Sequence, residues 1–535
     1  MKNFNFYALI CLSLLAGVQS CESPLKDVNI MVSSDILKYT TVLQVYDTQG
    51  DLISDVNVSV RGQDAEYIYN LDGRKQFNLR DGLLGFGVHP EHQPTPGKPI
   101  KFLVELSGPN YLTQVIPVTI VDEQFSSVYA VTVLDLSNPP AGVTAYRPTV
   151  SLVNNAIGET ITLMSPLNNG AEQRVRITLP AGTQFLDENG NVLRGSQLTA
   201  LIVNVDTDKE DALKIFPGSS LATENIYQAG ATSPVSGVFN PGALTNIQFF
   251  LDGTPVKRFS QPIEIGQQLQ AGFREVGDAV SVYSHAIAEA RWQHEHEVLA
   301  TETDGIMESV FQTDHLTWFL SGDFMRACDE PATVQLQASW FDAGVSYPLT
   351  VEAIIGNKVA MSFTVTVNAE NSTARLSRLP SQGVTLRIKD EREAILGEAA
   401  LTSCGGTTSI TLLDPATVAD PTVTLQLYVR CPGQSDVISV LPTFYLYYRE
   451  HGSGDDFKFL GVVTNGFLST KLLTVDTVPY DFKAIWGNEI KIVGNHTVQE
   501  DNSGTVGIEP GDIIGTKAGA TNLAILTEKC NELNN

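Results

Sequence analysis

The chain has 535 residues, enough for roughly three to five domains at the usual ~100–200 residues apiece. Its 60 Asp and Glu against 34 Lys and Arg leave a formal net charge of −26. That excess excludes nucleic acid as a partner, because phosphates need a basic face, and it argues against acidic partners in general; solubility accounts for the charge.

Met1-Lys2-Asn3 opens the chain with a basic residue, and an apolar run follows from about Phe6 to Val18. The run is too short for a comfortable membrane span and has the layout of a secretory signal. Val18-Gln19-Ser20-Cys21-Glu22 then resembles the end of a bacterial lipoprotein signal, in the relaxed form met in Bacteroidota envelope lipoproteins. It departs from the commonest pattern, with Val18 where Leu stands three before the cysteine and Ser20 where Gly or Ala precedes it. The resemblance implies that residues 1–20 are removed, that the Cys21 thiol accepts diacylglycerol, and that the mature chain hangs from a membrane through its N-terminal lipid. Glu22, in place of an Asp that would signal inner-membrane retention, points to the outer membrane, at its cell-surface or its periplasmic face. No second apolar run of spanning length follows.

Beyond the signal the pattern is one of strands. Val56-Asn57-Val58-Ser59-Val60, Val175-Arg176-Ile177-Thr178-Leu179 and Val334-Gln335-Leu336-Gln337-Ala338 alternate apolar and polar residues, the period of a half-buried strand. Asp72-Gly73, Asp81-Gly82, Asn189-Gly190, Asp252-Gly253 and Asp304-Gly305 punctuate them with residues that tolerate the positive φ of tight hairpins. Helical periodicity is confined to Asp208–Ile215 and the C-terminus. The expected fold class is therefore all-β, with several immunoglobulin-like or transthyretin-like β-sandwich domains in tandem.

The first sandwich is assigned to residues 21–137, where Leu43-Gln44-Val45-Tyr46-Asp47-Thr48-Gln49-Gly50-Asp51-Leu52-Ile53 reads as strand, turn and strand and resembles the carboxypeptidase-regulatory type. Asn138-Pro139-Pro140-Ala141-Gly142 reads as a linker. Residues 148–324 carry Ile177-Thr178-Leu179-Pro180-Ala181-Gly182-Thr183-Gln184-Phe185 and Ala212-Leu213-Lys214-Ile215-Phe216-Pro217-Gly218-Ser219, which resemble the sandwich module of ankyrins and netrin receptors in its bacterial form. In that family the module is a structural and protein-contact unit, sometimes beside a self-cleaving His-Phe-Ser strand. The corresponding triplet here is His315-Leu316-Thr317, so self-cleavage requires Thr317 as nucleophile. Residues 328–413 and 422–535, the latter with a C-terminal tail, resemble further carboxypeptidase-regulatory or transthyretin-like sandwiches, notably at Cys404-Gly405-Gly406-Thr407-Thr408-Ser409-Ile410.

Cys328, Cys404, Cys431 and Cys530 remain as disulfide candidates in an oxidising compartment. Folding Thr408–Leu413 against Thr422–Leu427 as a hairpin sets Cys404 opposite Cys431, leaving Cys328 and Cys530 paired or free. A zinc site would call for the short Cys-x-x-Cys spacing, which no pair has.

Other constellations have structural explanations ready. His294 and His296 are two apart on a strand and so share a face, but no third ligand is near in sequence. His89-Pro90-Glu91-His92 sits among prolines that forbid a helical metal motif, and Asp206–Asp211 reads as an acidic helix opening. Trp318-Phe319, Trp340-Phe341 and Phe444–Tyr448 should each present one buried and one outward set of rings. The residues thus predict a non-catalytic envelope lipoprotein, structural or adhesive, with a protein or glycan partner and no metal or cofactor. The alternatives are a glycan-binding accessory lipoprotein of a nutrient-uptake system and an autoproteolytic surface protein.

Overall fold

The computed structural model describes residues 30–33, 39–53, 55–71, 74–95, 97–121, 128–401, 404–415, 422–430, 438–441, 443–486 and 489–505. Cys21, Cys431 and Cys530 lie outside them. Among the described residues the regular structure is nearly all strand, with a single α-helical turn at Glu210–Leu213 and short 3-10 turns at Ala65–Tyr67 and Ile287–Glu289. No helix among them is long and apolar enough to cross a membrane. The expected all-β architecture is the one found. Two compact units make it up, one of Leu37–Ala419 with Ile485–Ile490, the other of Met1–Ile36, Asp420–Ala484 and Lys491–Asn535.

In the larger unit the first sandwich packs Thr40–Tyr46, Leu83–Val88 and Val128–Thr132 against a second sheet of Asn57–Arg61, Ile100–Gly108 and Tyr111–Ile120. Alternation supplies the core between them: Val104, Leu106, Phe102 and Val118 point inward at Phe86, Val45 and Leu43. The middle sandwich is a sheet that folds over on itself. Its corner is the long strand Arg291–Thr303, whose first residues pair with Ala279–Ala286 and whose last pair with Ile306–His315 on the opposite layer. Val175, Ile177 and Leu179 of one layer meet Ile202, Ile247, Phe249 and Phe319 of the other.

The third sandwich is not a separate bead. Its sheet of Tyr347–Ile355, Lys358–Val367, Val384–Lys389 and Ile395–Ala400 continues into the first module through the pair Thr364 and Val128, giving eight strands in one sheet. Its core is shared as well. Val203, Val205, Phe239, Trp292 and Leu320, on the outer face of the middle sandwich, belong to one apolar cluster with Val334, Val351, Phe363 and Leu386. Gln197–Val205 is therefore buried on both faces, which is why its residues Ala200-Leu201-Ile202-Val203 form a run without alternation.

One disulfide is formed among the described residues, Cys328 to Cys404, with Cα atoms 5.4 Å apart. This corrects the expected Cys404–Cys431 pairing. The hairpin on which that pairing rested is absent: Thr407–Thr411 runs parallel to Ala332–Gln337, Thr333 opposite Thr407, while Val423–Arg430 belongs to the smaller unit. Parallel neighbours start at the same end, which brings together the cysteines that precede them.

In the smaller unit Val423–Arg430 pairs with Phe467–Thr470, with Asp501–Thr505 and with Ile438–Leu441. The strand Ile30–Ser33 closes this sheet from the other end of the chain, parallel to Ile438–Leu441. A four-stranded sheet contains Phe444–Glu450, paired with Lys458–Val463, and Pro479–Trp486.

Candidate functional site

In the larger unit a cleft of about 310 Å3 opens where its three sandwiches meet. Each contributes charge or hydroxyl: Lys101 and Thr119 from the first, Glu224 from the second, Arg375 and Arg378 from the third. Lys101 and Thr119 are cross-strand partners, so both side chains leave one face of the sheet. Glu224 reaches them from the strand Ala222–Tyr227, whose register is broken between Thr223 and Ile226 beside Asn225 at φ 64°. Such an irregularity re-aims a side chain without ending the strand.

Glu224 accepts from Lys101 Nζ at 2.7 Å and from Thr119 Oγ1 at 3.2 Å, and its side chain is only 16% exposed. Burial by itself would raise its carboxyl; the charges of Arg378 and Lys101, with these two hydrogen bonds, outweigh burial and hold it below the usual carboxylate value. Glu224 is thus ionised and already matched by Lys101. Arg378 acts on Glu224 through its charge alone. Among the described residues its guanidinium has no hydrogen bond or ion pair, and its backbone is left-handed at φ 68°, a costly conformation for a residue with a Cβ. What holds it there is its neighbour: Leu379 is buried and its carbonyl accepts from the amide of Cys328, which the disulfide fixes. Asp329, at the rim, is engaged by Arg326 at 3.5 Å.

A second cation in this unit is arranged in the opposite way. Lys358 is buried, and its Nζ donates to the Pro241 carbonyl at 2.7 Å, Gln270 Oε1 at 2.8 Å and Asn240 Oδ1 at 3.2 Å, tying the third sandwich to the second. Burial pulls its ammonium down to about 8, against the raising pull of Asp208, Asp323 and Asp206. His285, also buried, is pushed down to about 3 by desolvation, so it is neutral across the physiological range.

The residues singled out from sequence mostly fill structural roles. His294 stands edge-on to Tyr283 at 5.2 Å, and His296 donates from Nε2 to the Gln312 carbonyl at 3.0 Å. The ladder shifts register between their partners, Tyr283 and Val282, and so breaks the two-residue period on which a shared face depends. His92 stacks on Tyr67 at 3.7 Å and His89 leans on Tyr69. Among the described residues no group of three or more His, Cys, Asp or Glu is placed to hold a metal ion.

In the acidic run Asp206 is buried and accepts from the amides of Glu172 and Asp208, tying two loops together, whereas Glu210 and Asp211 open the helical turn. The aromatic runs depart from the expected split between faces. Trp318 and Phe319 are both buried, one in each of two apolar clusters, and all five of Phe444–Tyr448 are buried as well. Trp340 and Phe341 are half-buried and pack on Tyr347, whose hydroxyl donates to the Trp340 carbonyl. Thr317 donates its hydroxyl to the main-chain carbonyl of His285, and His315 Nδ1 sits 3.2 Å from both Thr313 Oγ1 and Asp314 Oδ1. A nucleophile–base pair, as self-cleavage demands, would have the hydroxyl on an imidazole nitrogen instead.

Lys101, Glu224 and Arg378 went unnoticed in the sequence. Each is a single charge on an alternating strand or in a turn, and they meet only across three modules. The one local signal was an arginine followed by Leu379-Pro380, a turn-like setting that says nothing about a partner.

No family model matches the chain, and no curated relative matches it. Among solved structures it is similar to the Bacillus anthracis TIE protein, at 11% identity over 69% of this chain and 58% of that one, with a TM-score of 0.12. It therefore spans less than two thirds of that protein. A streptococcal ancillary pilin matches at 9% identity over 43% of this chain and 92% of that one, TM-score 0.14. The major pilin subunit of Bacillus cereus matches at 10% over 70% and 98%, TM-score 0.12. Superpositions this loose carry no argument about activity or partners.

Proposed function

We propose that the chain is a non-catalytic lipoprotein of the cell envelope, anchored through an acylated Cys21, whose fused sandwiches act as a stiff platform that presents a binding cleft to a partner in or outside the envelope. The observation that supports this most is the apolar core common to the second and third sandwiches, together with the sheet common to the first and third. Modules joined by flexible linkers reorient freely; modules that share a core hold a site made from all three in one geometry. Lys358 adds a polar tie between the third sandwich and the second.

The test is metabolic labelling with a fatty-acid probe, followed by protease shaving of intact cells. The wild-type chain is expected to take the label and to release peptides from Leu37–Ala419, and Cys21→Ser to lose the label and leave the membrane fraction. An unlabelled wild-type chain overturns the anchor; a labelled chain protected in intact cells moves the platform to the periplasmic face.

A further inference from the structure

The geometry points to the three-module cleft as a binding site for one carboxylate-bearing sugar residue, of the uronic acid class, with Arg378 as the group that takes the carboxylate. The inference deepens the platform reading above. On a chain of net charge −26, the cleft runs against the prevailing sign: Lys101, Arg375 and Arg378 line it against Glu224 and Asp329, and both carboxylates are already matched by cations, one of them Arg326 from outside the lining. The cation without a hydrogen bond or ion pair among the described residues is Arg378, and it is held in a left-handed conformation by a disulfide-fixed neighbour. Its charge acts on Glu224, but its N–H donors make no internal bond, and strain maintained at a residue with unused donors is the pattern of a binding group held ready.

A planar guanidinium takes a carboxylate through two parallel N–H bonds, so the anion's shape as well as its charge is selected. The remaining lining suits a polyhydroxylated ring. Ser236, Ser362 and Ser377 offer hydroxyls, and Pro117 supplies an apolar surface for ring C–H groups. A volume of about 310 Å3 is at the low end for ligand pockets, which start from roughly 300 Å3, so the fit is to a single residue of a glycan and not to a length of it.

The experiment is saturation-transfer NMR on the full mature chain in detergent, titrated in parallel with D-glucuronate, D-glucose and acetate. Saturable binding is expected for glucuronate, with glucose and acetate each at least about tenfold weaker. Arg378→Asn, chosen because Asn tolerates the left-handed backbone, is expected to weaken glucuronate about tenfold or more with an unchanged melting midpoint. Arg378→Lys keeps the charge and loses the fork, and should fall between the two. Glucuronate that fails to saturate, glucose binding equally well, or Arg378→Asn binding as tightly as wild type each overturns the proposal. Acetate binding as well as glucuronate overturns the sugar class. None of these outcomes depends on Cys21 acylation, so failure here and failure of the anchor are separable.

Discussion

Lys358 and Arg378 stand on the same sandwich, each turned toward other modules, and their surroundings differ completely. Around Lys358 three oxygens take its three protons, one from a main-chain carbonyl and two from amide side chains, and little solvent reaches it. Around Arg378 no hydrogen-bonding partner is found among the described residues, and Glu224, on which its charge acts, takes its hydrogen bonds from Lys101 and Thr119 instead. Saturated cations are joints: their energy is realised when the chain folds. An unsaturated one, kept in place by backbone strain and a disulfide, keeps its bonds for something that arrives later. The contrast lies in how many partners each charge has, since both sit in a part of the molecule held rigid by the shared core.

The sharpest way to break that contrast is to release the strut behind Arg378. Cys404→Ser opens a loop closed over a sequence separation of 76 residues, and the loss of loop-closure entropy sets the expected destabilisation at about 4 kcal/mol, read by urea unfolding. If the strut also positions the cleft, glucuronate binding should weaken under conditions where Cys404→Ser is still folded. Acid tests the sealed side next. Because the folded His285 is lowered to about 3 while the unfolded imidazole titrates near 6.5, the unfolded chain binds more protons between these values. The contribution is complete above pH 6.5 and is lost as pH falls toward 3, amounting to roughly 5 kcal/mol, and His285→Phe should flatten the stability profile across that window.

Lys358→Ala takes the donor from one buried carbonyl and two half-buried amide oxygens and is expected to cost about 2 kcal/mol, again by urea unfolding. The wild-type stability should also rise between about pH 8 and 10.5, where the folded lysine has shed its proton and the unfolded one has not, and this rise should vanish in the variant. Smallest of all is Arg378→Asn, expected within ~0.5 kcal/mol of wild type, since no internal bond is lost and backbone strain is relieved. A cost near that of Lys358→Ala would mean that Arg378 is a joint after all.

The fold class was legible because alternation along strands such as Val175–Leu179 survives wherever one face meets solvent or a neighbouring layer of ordinary thickness. Fusion of the modules was not. Its trace, the unbroken apolar stretch Ala200-Leu201-Ile202-Val203, reads equally well as any buried strand, and nothing local says which second sheet covers it. The disulfide was missed for a related reason: adjacent strands suggest hairpins, whereas Thr407–Thr411 finds its partner far back in the chain, in parallel. The aromatic runs misled because both sets of rings in Phe444–Tyr448 are buried, and alternation along a strand says only that the two sets point opposite ways. As for the cleft, Lys101 and Glu224 are separated by 123 positions, and each alone looks like an ordinary solvated charge.

Pairing of Ile30–Ser33 with Ile438–Leu441 imposes an order in time. The two strands stand 438 − 30 = 408 positions apart, so at a synthesis rate of ~5–20 residues per second the first strand waits roughly 20–80 s before its partner exists. The residues Leu37–Ala419 are all made within that interval, while the unit that holds the beginning of the chain cannot close until they have been. A ribosome that stops anywhere before Ile438 therefore leaves Ile30–Ser33 as an unpaired strand edge, a hazard that the finished molecule hides.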